Sequence, residues 1–183
     1  EYLQTHHAEI RWAIAGRSLT KLESVRKQLG NAELPIIEAD SGSAADMVRL
    51  AGKAKVIIST VGPYAQHGTK LLEACASEGT HYCDLTGEPQ WMAAVFEKVS
   101  DMAEESGARL VHCCGFDSIP SDLGVFVAQK IMRERHGVYA THVSGRMGPS
   151  KGAVSGGTVA SMLLAMEQGV SDPIARKALN NPY

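Results

Sequence analysis

Paired cysteine motifs, clusters of positive charge and long apolar runs are all missing from this sequence, and each absence removes a class of protein. The four cysteines, Cys75, Cys83, Cys113 and Cys114, form no C-x-x-C pair. Adjacent Cys113 and Cys114 cannot easily bridge to each other, so all four are expected to be reduced thiols. That points to an intracellular, reducing compartment, most simply the cytoplasm. Metal-ligand spacing is absent too: His112 beside the cysteine pair is the nearest approach to a zinc set, and no metal is expected. No stretch approaches the roughly 18 consecutive apolar residues that a membrane helix needs. The first residues, EYLQTHHAEI, are too polar to read as a secretory signal. With a net charge of -2 and no basic cluster, nothing favours a nucleic-acid partner.

Several catalytic signatures are missing as well. No Y-x-x-x-K occurs, which argues against short-chain dehydrogenase chemistry. GPSKGAVSGG fails the G-x-x-x-x-G-K-[ST] spacing of a phosphate-binding P-loop, and SGGT within it reads more simply as a helix start. Internal repeats and low-complexity segments are also lacking. What remains, at 183 residues, 44% hydrophobic and 21% charged, is an ordinary composition sufficient for one full domain and part of another.

Short apolar runs alternate with helical patterns along the chain. Trp12 to Ala15, LPIIEAD, KVIISTVGP, HYCDL and ARLVHCCGF read as strands. Between them lie LTKLESVRKQLG, a segment opened by Ser43 and Asp46, GTKLLEACASEGT and PQWMAAVFEKVSDMAEESG, all with helical periodicity. Thr20 and Glu23 have capping-box spacing, and Gly30 is a natural stop. Strands that are hydrophobic without alternation are buried on both faces, which implies a parallel sheet. A helix between each pair then gives a doubly wound α/β layer of Rossmann type. The character changes near Gly137, where the chain becomes rich in Gly and Ser before another helix, VASMLLAMEQG. The expected organisation is a dinucleotide-binding domain over residues 1–136 and the incomplete beginning of a second α/β domain, for substrate or dimerisation, over 137–183.

Ligands of an open parallel sheet sit outside the carboxyl ends of its strands. That rule selects Gly16 to Ser18, Asp40, Thr60 to Tyr64, Asp84 to Glu88 and Gly115 to Ser118. The first of these groups is the most informative. In dinucleotide folds the end of the second strand meets the adenosine ribose; an acidic residue there accepts from the 2′-hydroxyl, whereas an arginine accommodates a 2′-phosphate. Arg17 offers a fork of donors, Ser18 a hydroxyl, and Lys21 a second charge one helical turn on. Close to a helix N-terminus this makes a phosphate site. The bland alternative is a solvated turn with an arginine at a helix start.

The strand that should precede Trp12, and the G-x-G-x-x-G turn after it, are not in the sequence; EYLQTHHAEIRW reads as the end of the first helix running into the second strand. The first strand normally lies mid-sheet, and its loss would leave two edges unpaired inside the core. The chain is therefore expected to be part of a longer polypeptide that carries the pyrophosphate-binding loop elsewhere.

WAIAGRSLTKLESVRKQLG, VIISTVGPYAQHG, ACASEGTHYCDLTGEPQW, CCGFDSIPSDLGV and SGGTVASM together resemble the saccharopine dehydrogenase-like oxidoreductases, a family that includes trans-acting enoyl reductases. The resemblance runs over nearly the whole chain in the same order. It implies an NADP-type Rossmann domain followed by a substrate domain. By position, it implies that Arg17 and Ser18 face the 2′-phosphate, that Asp40 lies near the adenine, and that Thr60, Val61, Gly62, Pro63 and Tyr64 run toward the nicotinamide. Similarity to saccharopine dehydrogenases does not make saccharopine the substrate.

The functional expectation is an NADP(H)-dependent oxidoreductase that delivers hydride to a C=C, C=N or C=O bond of a small or acyl-chain substrate. Hydride chemistry belongs to the cofactor, so the protein must position substrate and manage a proton. Tyr64, Asp84 and Asp117 are the catalytic candidates, Glu88 standing near them; for the two aspartates, capping of neighbouring helix amides is an equally good reading. The Met and Leu run of SMLLAMEQ suits a core or homodimer contact, with a lipid-facing groove and peripheral lipid association as the lesser reading. A cofactor-binding scaffold or redox sensor without turnover is the alternative function, and a Rossmann-like epimerase or regulator the third.

Overall fold

The β-branched and aliphatic runs form parallel strands because each lies between helices that return the chain to the same end of the sheet. The computed structural model describes residues 1–149, 151–152 and 155–181. After a short helix α1 (Tyr2–His6) come β1 (Ile14–Gly16), α2 (Leu19–Gln28), β2 (Ile36–Glu38) and α3 (Ala44–Ala51). Then follow β3 (Val56–Ser59), α4 (Tyr64–His67), α5 (Thr69–Glu78), β4 (His81–Asp84), α6 (Pro89–Ser106) and β5 (Leu110–Val111). Three helices complete the chain: α7 (Ile119–His136), α8 (Gly156–Ser171) and α9 (Pro173–Asn180).

The sheet is in two pieces. β1 pairs in parallel with β2, from Ile14 opposite Ile36 to Gly16 opposite Glu38. Separately, β4 lies between β3 and β5, with Ser59 opposite Asp84 and Cys83 opposite Val111. Among the described residues β1 and β3 are not joined by a ladder, and a cleft lies between them. This alters one expectation. β3 is not buried on both faces: Val56 and Ile58 are 53% and 64% exposed, because no described element covers that side.

The core sits where α3, α5 and α6 meet the sheet. Met47, Leu72, Cys75, Tyr82, Trp91, Val95 and Val99 are all buried there. Met102 is partly buried against them. Helix punctuation is local. Ser18 caps α2 by accepting from the Lys21 amide, and Ser43 caps α3 by accepting from the Asp46 amide. The capping box expected of Thr20 and Glu23 is not formed; Glu23 instead pairs with Arg26 at 2.6 Å. The reason is geometric. Ser18, with extended backbone, already stands at the helix entry, leaving Thr20 inside the first turn. Ser155 caps α8 through the Thr158 amide, so SGGT does open a helix. Ser150, Ala153 and Val154 of the preceding GPSKGAVSGG stretch lie outside the described residues. All four cysteines are free thiols. Among the described residues no helix is long and apolar enough to cross a membrane.

Two outcomes follow from this packing. Leu72 is fully buried, so Leu72→Ala should lower unfolding free energy by about 2–5 kcal/mol, as read from urea denaturation. Burial also pushes the Cys75 thiol up to about 12, so it is uncharged at neutral pH. Iodoacetamide should label exposed Cys114 in the folded protein and reach Cys75 only after denaturation, as read by peptide mass spectrometry.

Candidate functional site

The cleft between β1 and β3 opens at the carboxyl ends of both strands. Gly16 and Arg17 line one side, Thr60, Val61 and Gly62 the other, and Leu50, Ile57 and Leu71 form an apolar floor. Small residues at the tips leave room for a ligand to approach backbone amides. Arg17 is exposed at this rim and has no ion-pair or hydrogen-bond partner among the described residues. An uncommitted guanidinium, a hydroxyl one residue on and a helix start form a donor set suited to a phosphate ester. That donor set is the feature by which the cleft fits a phosphorylated dinucleotide.

Other predicted binding residues have different surroundings. The Ser18 hydroxyl accepts from the Lys21 amide at 3.4 Å, and Lys21 is exposed on the first turn of α2 outside the cleft lining. Asp40 is exposed, and its carboxylate accepts from the Gly42 amide at 2.9 Å in a local turn. Its neighbours Ala39 and Ser41 reach the cleft; Asp40 does not line it. The lining on the β3 side stops at Gly62, short of Pro63, which meets Gly62 through a cis peptide bond.

Tyr64 and Asp84 come together, but inside the protein. The Tyr64 ring is buried and stacks on Trp91 at 5.4 Å. Its hydroxyl donates to the Ser59 carbonyl at 3.0 Å. Burial pushes the phenol up to about 12, the Leu85 amide opposing and the Asp84 and Glu88 charges adding to it. The direct role in substrate chemistry expected of Tyr64 is therefore not supported by its position; it pins the loop after β3. The Asp84 carboxylate is also fully enclosed. Oδ2 accepts from the Tyr82 hydroxyl at 2.9 Å and lies 2.7 Å from His112 Nδ1. Oδ1 accepts from the amides of Thr86 and Cys113, both at 3.1 Å. Burial, with Asp84 beside it, drives the Tyr82 phenol far up. Asp117 is not drawn into this group. It stands exposed in the turn before α7, without a side-chain hydrogen bond among the described residues.

Two residues carry more of the site than the sequence suggested. Glu88, buried, accepts from the amides of Tyr64 and Ala65 at 2.8 and 2.9 Å and from Ser161 Oγ at 2.8 Å. It thereby holds the loop after Gly62 and ties it to α8. Its place in DLTGE, four residues beyond Asp84, was the available signal. His112 was weighed only as a zinc ligand with the cysteine pair. Its ring is on Asp84, Cys113 Sγ rests 3.7 Å from Met92 Sδ, and Cys114 Sγ turns to backbone carbonyls. Among the described residues no cluster of three or more His, Cys, Asp or Glu could hold a metal ion. The sequence pattern ARLVHCCGF predicts a strand running to Phe116, five residues beyond the observed end at Val111, and so hides His112 inside the strand. β5 ends at Val111, and Cys113 at φ 60° turns the chain away.

Comparison with known proteins agrees with this architecture. The family model for the saccharopine dehydrogenase NADP-binding domain matches residues 1–112. A Mycobacterium tuberculosis protein provisionally named a trans-acting enoyl reductase is 41% identical over the whole chain, and a Mycobacterium bovis trans-acting enoyl reductase is 38% identical. The chain spans 44% of the length of each. A solved saccharopine dehydrogenase (L-Glu forming) from Saccharomyces cerevisiae, in its apo form, superposes with a TM-score of 0.55 at 18% identity. That match covers 74% of this chain and 28% of that one, and it speaks to the fold alone. The chain belongs to the saccharopine dehydrogenase-like family, and NADP(H) is the cofactor assigned by the NADP-binding domain it carries.

Proposed function

We propose that the chain is the cofactor-binding part of an NADP(H)-dependent oxidoreductase that reduces a C=C, C=N or C=O bond of an acyl-chain or small carbonyl-type substrate. The observation that carries this reading is Arg17. An unpaired guanidinium at the tip of β1 faces the loop at the tip of β3 across a cleft where parallel-sheet proteins take their ligands. The names of the mycobacterial relatives support an enoyl substrate. Bound at the cleft, NADPH supplies a hydride.

The chain's own residues do the rest. Arg17 takes the 2′-phosphate as a bidentate donor, with Ser18 and the first turn of α2 adding weaker donors and Lys21 a more distant charge. Thr60, Val61, Gly62 and Pro63 carry the cofactor's reactive end. Asp40 acts at the adenine side through the shape of its turn. Tyr64 and Glu88 fix the loop from behind, and Asp84 acts through His112 and does not touch substrate itself. Division into a cofactor unit over 1–136 and a substrate-side or homodimer-forming unit beginning at 137 agrees with the exposed apolar side chains Leu163, Met166 and Val170 on α8.

NADPH and NADH titrations of the full-length protein and of Arg17→Ala test the reading. The wild type should prefer NADPH, and the variant should lose about 10-fold or more in NADPH affinity, matching a lost charge-assisted hydrogen bond of ~1.5–3 kcal/mol, with NADH binding little changed. Equal binding of both cofactors, unmoved by the substitution, would refute it.

A further inference from the structure

We propose that His112, oriented by Asp84, is the proton donor of the reduction. The inference rests on the oxidoreductase reading above and assigns a role that hydride delivery leaves open.

His112 is the first residue beyond β5 and lies beside the tip of β4, on the ligand-binding edge of the sheet. Nδ1 is 2.7 Å from Asp84 Oδ2; the Asp84 side chain has no exposure, whereas that of His112 is 22% exposed. An ionised carboxylate only accepts, so the ring donates from Nδ1. The outward nitrogen is then Nε2, bare in the neutral ring and N–H in the imidazolium. Nε2 has no hydrogen-bond partner among the described residues.

The dyad is held firmly. Tyr82 and the Thr86 and Cys113 amides fix the carboxylate, and Cys113 takes up a left-handed φ of 60°. Strained non-glycine backbone of this kind gathers at working sites. Trp91 meets the imidazole edge-on at 5.1 Å and stacks on Tyr64 on its other side. Trp91 thus touches both the histidine and Tyr64, the residue that follows the loop after β3. Tyr64 and Tyr82 hold their protons too tightly and too deeply to serve.

The chemistry balances. Hydride from NADPH enters one atom of the substrate double bond. The π pair of that bond then takes the proton from Nε2 to form the second new bond. The neutral ring keeps its Nδ1–H on Asp84 and recovers a proton from water.

The titratable groups around the ring are Asp84 and Tyr82 from β4 and Tyr64 beyond Trp91, while Cys113 and Cys114 follow it in the same loop with their thiols on Met92 and on backbone carbonyls. Burial raises Tyr64, Tyr82 and Cys113 above their ordinary values, away from neutrality.

The test uses the full-length protein, with crotonyl-CoA and NADPH as probes, and His112→Gln. Nitrogen-15 NMR of the ligand-free protein should show that the neutral ring of His112 carries its proton on Nδ1, the nitrogen that meets Asp84. The variant should keep the wild-type circular dichroism and NADPH affinity and lose about 100-fold or more in kcat with KM little moved. A neutral ring protonated on Nε2, no NADPH oxidation by crotonyl-CoA, or a variant with wild-type kcat each overturns the proposal. Failure of the wild type to bind NADPH at all overturns instead the functional reading on which it stands.

Discussion

A single carboxylate shut away from water organises the end of the sheet. Moving a charge of this kind into the interior costs several kcal/mol unless donors surround it. Asp84 meets that demand with a phenol, an imidazole and two amides drawn from β4, the turn after it and the loop after β5. The Asp84 carbonyl also accepts from the Cys114 amide at 2.7 Å. The tips of the two strands are therefore held by the need to satisfy one buried group, more than by their short ladder, which joins only two residue pairs. Removal of any one donor leaves the charge less compensated, so the cluster holds together as a unit.

Glu88 solves a related problem at the opposite end of the same turn. The first amides of a helix have no partners within it, and for α4 they are the amides of Tyr64 and Ala65. A buried carboxylate from the start of α6 takes both. The loop from Thr60 to Gly62, which lines the cleft, is thereby attached to the core through the residues that follow it. Gly68 keeps Trp91 close to that helix, since a Cβ there would lie 2.8 Å from the indole.

Much of this architecture was legible in the sequence. Runs such as VIIS and HYCD, each followed by a helical pattern, are read as parallel strands because only that arrangement buries them and returns the chain. The candidate site was legible at the level of strand tips: Arg17 and Thr60 to Gly62 do line one cleft. Which polar groups face inward was not legible. Whether Asp84 meets solvent or a ring depends on where β5 stops, and a left-handed cysteine, which no propensity announces, decides that. Glu88 and Ser161 lie 73 positions apart, and their pairing depends on tertiary packing that local pattern does not encode.

That last pairing couples two regions that otherwise share little. Ser161 belongs to α8, and its hydroxyl bonds the same Glu88 oxygen that receives the Tyr64 amide. A shift of α8 that withdrew the hydroxyl would strengthen the pull of that oxygen on the remaining amide and leave a buried lone pair to be filled. A displacement of the far helix would thus be felt, through one shared acceptor atom, by the backbone that follows the cleft-lining loop.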